Sequence, residues 1–417
     1  MKPRPRVLIP GIAVIAAAAI AAAVLAASSP GRPASRDARW RQDIAYLASR
    51  LPKVHVHGLL RVRASAWHAA AARLEAAVPH LTDGQIIVGM ARMVAMLHDD
   101  ETLLILPRTA GFPIGISLIG GNLCLTAVPK AERDLLGAEI VAVDGHPIGQ
   151  VLNLIGSVID HMDQDTGLLR DEELNYLENY PPLLSWLGLT RTPQTLDLAV
   201  RTVTGAHRTL RLAAVTRASP SNYVRIPTPL YAQNANKPYW LRILRSQHAV
   251  YLKYNACLDN DGFQRLAARA LALLRRNPSY RLIVDLRNNG GGDTQPFTFL
   301  TRALSADPVL HRPGRIFGLV NQLTDSSATY DAGSLSRIPN ALLIGQQPGD
   351  PVDEYGNEQF LTLPDSGIQV MYTTKVVNPG GKPLGSPDIV IAPTLRQVLA
   401  GDDPVLAAAL SYGRPGG

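Results

Sequence analysis

The segment Leu282-Ile283-Val284-Asp285-Leu286 runs directly into Arg287-Asn288-Asn289-Gly290-Gly291-Gly292. A run this apolar suits a strand buried on both faces, as in a parallel sheet covered by helices on each side. Three successive glycines then allow backbone conformations closed to other residues. The chain can therefore turn sharply out of the strand and present bare N–H groups beside the start of a helix. The same texture repeats around this point. Strands are expected over 250–254, 316–320 and 341–345, with helices over 263–276, near 297–304 and from about Ser326. Alternating strand and helix implies a parallel α/β sheet with right-handed crossovers. A hairpin over 360–372, turning at Pro364-Asp365-Ser366-Gly367, and a helix opened by Asp402-Asp403-Pro404 complete this part.

The chain has 417 residues, enough for two or three domains. From Arg39 to Thr102 it reads helical. Trp40, Ile44, Leu47 and Leu51 recur at helical spacing, a second helix follows Ser65, and Thr82-Asp83 caps a third with Ile86, Met90, Met93 and Leu97 on one face. Between 103 and 215 the texture changes to short strands. Leu104-Ile105-Leu106, Ile114-Gly115-Ile116 and Leu123-Cys124-Leu125 come first. The run Leu136-Gly137-Ala138-Glu139-Ile140-Val141-Ala142-Val143-Asp144-Gly145 follows, a strand entering a turn as in PDZ-type modules. A hairpin over 196–215 closes this unit, and a helix over 171–187 is inserted in it.

At the front, Lys2, Arg4 and Arg6 precede 21 uncharged residues, Val7 to Ala27, and the chain continues from Leu25 as Leu-Ala-Ala-Ser-Ser-Pro. This is the pattern of a secretory signal peptide, with an uncleaved anchor as the alternative. An exported, periplasmic or extracytoplasmic location is expected, with membrane contact only through the leader. A linker over 28–38 follows. The formal charge is +7, but three of those charges belong to the leader and a net one to the linker. The remainder is mildly basic and lacks a cluster of Lys and Arg interleaved with aromatics, so nucleic acid is not an expected partner. Two cysteines, Cys124 and Cys257, exclude a disulfide-stapled scaffold and leave a single bridge open. No cofactor fingerprint appears. His55-x-His57 lacks the neighbouring ligands of a metal site and is read as packing.

A second motif is Asn321-Gln322-Leu323-Thr324-Asp325-Ser326-Ser327-Ala328, again between a strand's carboxyl end and a helix. Ligand sites of open α/β sheets lie at such ends. Taken alone, Ser326 or Asp325 could simply cap the helix. Taken with the glycine turn, whose N–H groups suit an oxyanion, the order is more specific. It runs strand, Asp-Leu-Arg-Asn-Asn-Gly-Gly-Gly, strand, Thr-x-Ser-Ser-Ala, strand ending in Gly345, then Leu363-Pro364-Asp365-Ser366-Gly367, Pro387-Asp388-Ile389 and Gly401-Asp402-Asp403-Pro404. This resembles the tail-specific, or carboxy-terminal-processing, serine peptidases. The resemblance covers nearly all of the chain after the leader. It implies a ClpP/crotonase-type α/β core over 216–417, an N-terminal helical region over 39–102 and a PDZ-like module over 103–215. It places the nucleophile at Ser326 and oxyanion donors at the backbone of Ser327 and Gly291, with peptide or unfolded protein as substrate and no cofactor or metal.

The sequence departs from that family at the general base. Many members carry a lysine after the strand that ends here in Gly345, whereas no lysine lies between Lys253 and Lys375. Another branch carries Gly-Asp-x-His-Thr, and the corresponding stretch here is His98-Asp99-Asp100-Glu101-Thr102. Glu101 thus stands at the histidine position, as a base only if burial raises its pKa. His98 is the other candidate nearby, and Glu354, Asn357 and Glu358 lie where the family has a polar third member. The reading is a serine-type peptidase, the alternative a peptide-binding pseudopeptidase of the cell envelope. A crotonase-like thioester enzyme fits export poorly. No oligomeric state follows from the sequence.

Overall fold

The computed structural model describes residues 35–106, 110–159, 167–216, 222–349, 355–377 and 384–413. The leader and Glu354 lie outside the described residues. Among the described residues no helix is long and apolar enough to cross a membrane.

The strand expected over 282–286 forms as Arg281–Asp285, well inside a six-stranded sheet. In order the strands are Ile389–Val390, Leu342–Gly345, Ile316–Val320, Arg281–Asp285, Ala249–Tyr254 and Tyr239–Leu244. Pairing is parallel throughout except for Tyr239–Leu244, which joins antiparallel. That edge strand is not among those expected from the sequence. Alternate side chains feed two layers, as the two-residue period of a strand requires. Val250, Leu252, Leu282 and Val284 pack under the helices Asn260–Arg276 and Gln295–Ser305. Tyr251, Ile283, Phe317 and Leu319 face Val405, Leu406 and Ala409 of the last helix, Pro404–Ser411.

The helical front comprises Arg36–Val54, Ala64–Ala77 and Asp83–Ala95. The first begins three residues before the expected Arg39, because the Ser35 hydroxyl accepts from the Ala38 N–H and caps it there. The third carries the expected Thr82 cap, completed by Gln85 into a capping box. The β-rich unit is a seven-stranded sheet containing Gly115–Ile119, Asn122–Pro129, Glu139–Val143, Thr195–Arg201 and His207–Ala213. The single helix expected over 171–187 is two, Gly167–Asn179 and Pro181–Trp186. Pro181 and Pro182 cannot continue a helix but are suited to its first turn, so the break falls at Tyr180. Cys124 and Cys257 are both buried and free, so the one disulfide the sequence left open does not form.

Front and core are stitched together. The hairpin Gln359–Thr362 and Gln369–Tyr372 pairs with Leu103–Leu104 to make a three-stranded sheet. Buried Asp43 accepts the N–H groups of Asp365 and Ser366 at 2.8 and 2.9 Å. These contacts bring the loop after the third helix, which holds Asp99 to Thr102, to the core.

Candidate active site

Two turns leave adjacent parallel strands at their carboxyl ends. One follows Arg281–Asp285, the other follows Ile316–Val320. Asn288 and Asn321 bond reciprocally across them. The Asn288 N–H donates to Asn321 Oδ1 at 2.9 Å, and Asn321 Nδ2 donates to Asn288 Oδ1 at 2.6 Å. The Thr324 hydroxyl donates to the Leu286 carbonyl at 3.1 Å, and the Asp325 N–H to the Asn289 carbonyl at 2.9 Å. The glycine turn and the serine turn therefore form one unit.

Ser326 precedes the helix Ser327–Ser336 with φ +51° and ψ −131°. A non-glycine residue there is strained, on the order of 1–3 kcal/mol, and such strain collects at functional sites. Its side chain does not cap the helix, so the capping alternative for Ser326 does not hold. Gly291 lies directly against it. A Cβ on Gly291 would sit 2.7 Å from Ser326 Cβ, 2.9 Å from the Ser327 nitrogen and 3.0 Å from Ser326 Oγ. Gly291 has φ +89°, and its missing side chain is the space the serine occupies. Ser327 clamps the same junction, its hydroxyl donating to the Gly292 carbonyl at 2.7 Å.

The structure thus brings Ser326, Ser327 and Gly291 together but corrects one expected role. The Gly291 N–H donates to Asn289 Oδ1 at 2.9 Å. An asparagine side chain bonding the backbone two residues on is an Asx turn, and it takes the donor that an oxyanion would need. Among the described residues, neither Gly290 nor Gly292 commits its N–H to a hydrogen bond. The Ser327 N–H opens a helix, where the first N–H groups lack intrahelical partners.

Behind the turn lies a charged network that sequence reasoning missed. Asp285 is fully buried and accepts from Tyr251 Oη at 2.7 Å and from the Arg287 guanidinium. Arg287 also grips Asp403 through two bonds of 2.8 and 2.9 Å and stacks on the Tyr231 ring at 4.0 Å. Burial opposes charge on Asp285, but Arg287 and Lys253 outweigh it and hold the carboxyl below its ordinary range. The Asp-Leu-Arg tripeptide was the available signal; only the fold shows that Asp403, more than a hundred residues on, completes it.

On the far side of the turn, Cys257 donates its thiol to Asp331 Oδ2 at 3.5 Å. Its N–H bonds the Gly291 carbonyl, and its own carbonyl accepts from Asp293. Desolvation pushes Asp331 up to about 8, so this carboxyl is neutral through most of the physiological range.

Glu101 is half-buried. Enclosure by protein raises its pKa well above the usual carboxylate range, and the carboxylates of Asp325, Asp100, Glu358 and Glu172 raise it further. Asp325 is the residue next to Ser326, so the loop carrying Glu101 and the serine turn share one electrostatic environment. Glu101 is held by its neighbours in the motif. Its N–H donates to Asp99 Oδ1 at 3.0 Å. Buried Asp99 also accepts from Thr102 Oγ1, Thr373 Oγ1 and His55 Nε2. His55 Nδ1 accepts the His57 N–H, which leaves the proton of a neutral ring on Nε2, facing Asp99. His55 is thus a satisfied core residue, paired with a carboxylate that is distant in sequence. His98 instead has φ +54°, its carbonyl accepting from Arg61 at 3.2 Å. Asn357 bonds Thr374, and Glu358 is exposed. Among the described residues no set of His, Cys, Asp and Glu side chains converges as a metal site would.

No protein-family model matches the sequence, and no curated protein matches it. Solved structures do. The crystal structure of mature CPAF superposes with a TM-score of 0.63 at 13% identity, covering 91% of this chain and 99% of that one. Mature CPAF complexed with lactacystin gives 0.64 at 14%, covering 90% and 99%. The photosystem II D1 C-terminal processing protease overlaps more loosely, at 0.43 and 16% identity over 88% and 98%. The fold of this chain is that of mature CPAF.

Proposed function

We propose that this chain is a serine-type peptidase of the tail-specific, carboxy-terminal-processing kind, with Ser326 as nucleophile and peptide or unfolded protein as substrate. The observation that carries the reading is Ser326 itself, strained at the start of a helix and backed by Gly291. An ordinary helix start needs neither feature. The core then serves as a ClpP/crotonase-type scaffold, and the sheet between 103 and 215 as a PDZ-like module. The fold shared with CPAF, which binds lactacystin in one crystal structure, supports the same reading.

Ser326 Oγ attacks the scissile carbonyl as its proton passes to a base, and the carbonyl becomes an oxyanion. The Ser327 N–H and an uncommitted N–H of the glycine turn, Gly290 or Gly292, stabilise that charge. The amine leaves with a proton returned by the base, and water then hydrolyses the acyl-enzyme. Glu101 is the base in this reading. A carboxylate with an ordinary pKa is too weak to deprotonate serine, and the crowding of carboxylates around Glu101 works against that weakness.

A second reading is a peptide-binding pseudopeptidase of the cell envelope, favoured by Glu101 itself, which stands where a histidine is expected. Export through the leader over 1–27 belongs to both. Fluorophosphonate labelling beside a Ser326→Ala control separates them. Labelling lost in the control supports the peptidase. Absence of labelling in the parent from neutral to mildly alkaline pH sinks it and leaves the binding protein.

A further inference from the structure

Lys253 is fully buried in the strand Ala249–Tyr254. Lysine is among the residues least often buried, and enclosing its ammonium is costly unless every donor is satisfied. Here the three donors meet three main-chain carbonyls. Nζ lies 2.6 Å from the Arg287 oxygen, 3.3 Å from that of Asp285 and 3.4 Å from that of Tyr254. The nearest carboxylate oxygen, Asp285 Oδ1, is 3.9 Å away and accepts from the Arg287 backbone N–H and Nε. Lys253 is therefore held chiefly by backbone, at the place where the chain leaves its strand for the glycine turn.

The position of those carbonyls matters. The peptide unit joining Arg287 to Asn288 is gripped at both ends, its oxygen by Lys253 and its N–H by Asn321 Oδ1. Immediately afterwards Asn288 takes φ +56°, which commits the chain to its course through Asn289 and the three glycines. Rotating that one peptide would re-aim each N–H that follows.

We propose that Lys253 is a positioning residue for the oxyanion turn: its ammonium fixes the Arg287–Asn288 peptide and thereby the direction of the N–H groups at Gly290–Gly292. The inference rests on the peptidase reading for its catalytic consequence, but its structural content is independent of that reading. Desolvation lowers the Lys253 pKa to about 8, consistent with a group kept for its hydrogen bonds at a cost in charge.

The test uses the full chain with Lys253→Met, which keeps length and volume but has no donor, and Lys253→Gln, which keeps an amide donor. Hydrogen exchange by mass spectrometry is read over 286–293, with the helix Asn260–Arg276 and the strand Ile316–Val320 as internal references. The expected result for Lys253→Met is exchange about tenfold or more faster over 286–293 with the references unchanged, and a smaller effect for Lys253→Gln. Fluorophosphonate kinetics should show the maximal labelling rate of Ser326 falling roughly 10- to 100-fold, as for a misplaced catalytic geometry, with little change in the half-saturating probe concentration. Unchanged exchange over 286–293 in a folded Lys253→Met variant overturns the proposal. Loss of folding in both variants also overturns it, since Lys253 is then a core-stability residue and no more. A parent that does not label removes the peptidase reading alone; the exchange result still decides the role of Lys253.

Discussion

Replacing Gly291 with alanine tests the central geometry. Two costs are expected and can be measured apart. The first is conformational: at φ +89° an L-residue pays about 1–2 kcal/mol that glycine does not. The second is steric. The new methyl would stand 2.7 Å from Ser326 Cβ and 2.9 Å from the Ser327 nitrogen. Neither neighbour is the free end of a flexible side chain, so the two turns must separate, at roughly a further 1–3 kcal/mol as for an overpacked core. Gly205 supplies the control. It has φ +87° in the turn before His207–Ala213, and a Cβ there meets nothing within 4 Å. Gly205→Ala should therefore show only the conformational cost. Urea unfolding of both variants against the parent, with fluorophosphonate labelling in parallel, reads out the difference. We expect Gly291→Ala to lose roughly 2–5 kcal/mol and most labelling, and Gly205→Ala about 1–2 kcal/mol with labelling retained. If the two variants lose equal stability and both still label, Gly291 does not adjoin Ser326 and the site is wrongly assembled.

Three other perturbations follow from the same structure. Asp331 is raised from 3.8 to about 8, so folding takes up a proton between those values; the cost is absent below the lower pH and complete above the higher. Asp331→Asn should thus gain on the order of a few kcal/mol near pH 8.5 and much less near pH 5, and a pH-independent gain in urea midpoint would contradict the burial assignment. If Glu101 is the base, only its ionised form acts, and its raised pKa displaces the rise of Ser326 labelling to a pH well above the usual 4.5. Glu101→Gln should abolish that rise and Glu101→His increase labelling; a folded His variant that labels no faster argues against Glu101 at the base position. Asp403→Ala leaves the Arg287 charge short of a partner and removes the side-chain cap on Leu406, at a cost of about 3 kcal/mol. A loss below about 1 kcal/mol in chemical denaturation would mean that the Arg287 pair behaves as a solvent-exposed one.

Much of the core was legible along the chain. The strand at 282–286, the helix beginning beside Ser326 and the 360–372 hairpin each carry local signals, because apolar runs, glycines and turn residues act over a few positions. The strand Tyr239–Leu244 carries a weak signal because an antiparallel edge strand has only one partner, and its burial is correspondingly irregular. The Gly291 N–H looked available because three glycines advertise open backbone. Asn289, two residues earlier, is the Asx-turn signal that competes for it, and local sequence does not say which of the two prevails.

By itself the sequence determined the order of most elements and the two turns, which depend on residue identity at neighbouring positions. Tertiary structure alone decided what those turns meet. It set Gly291 against Ser326, closed Arg287 on Asp403, placed Lys253 among three carbonyls and left Cys124 and Cys257 apart. Each of these joins residues brought close by packing of separate elements, which one-dimensional spacing does not encode. The identity of a buried residue reports that it must find a partner; only the folded chain supplies which.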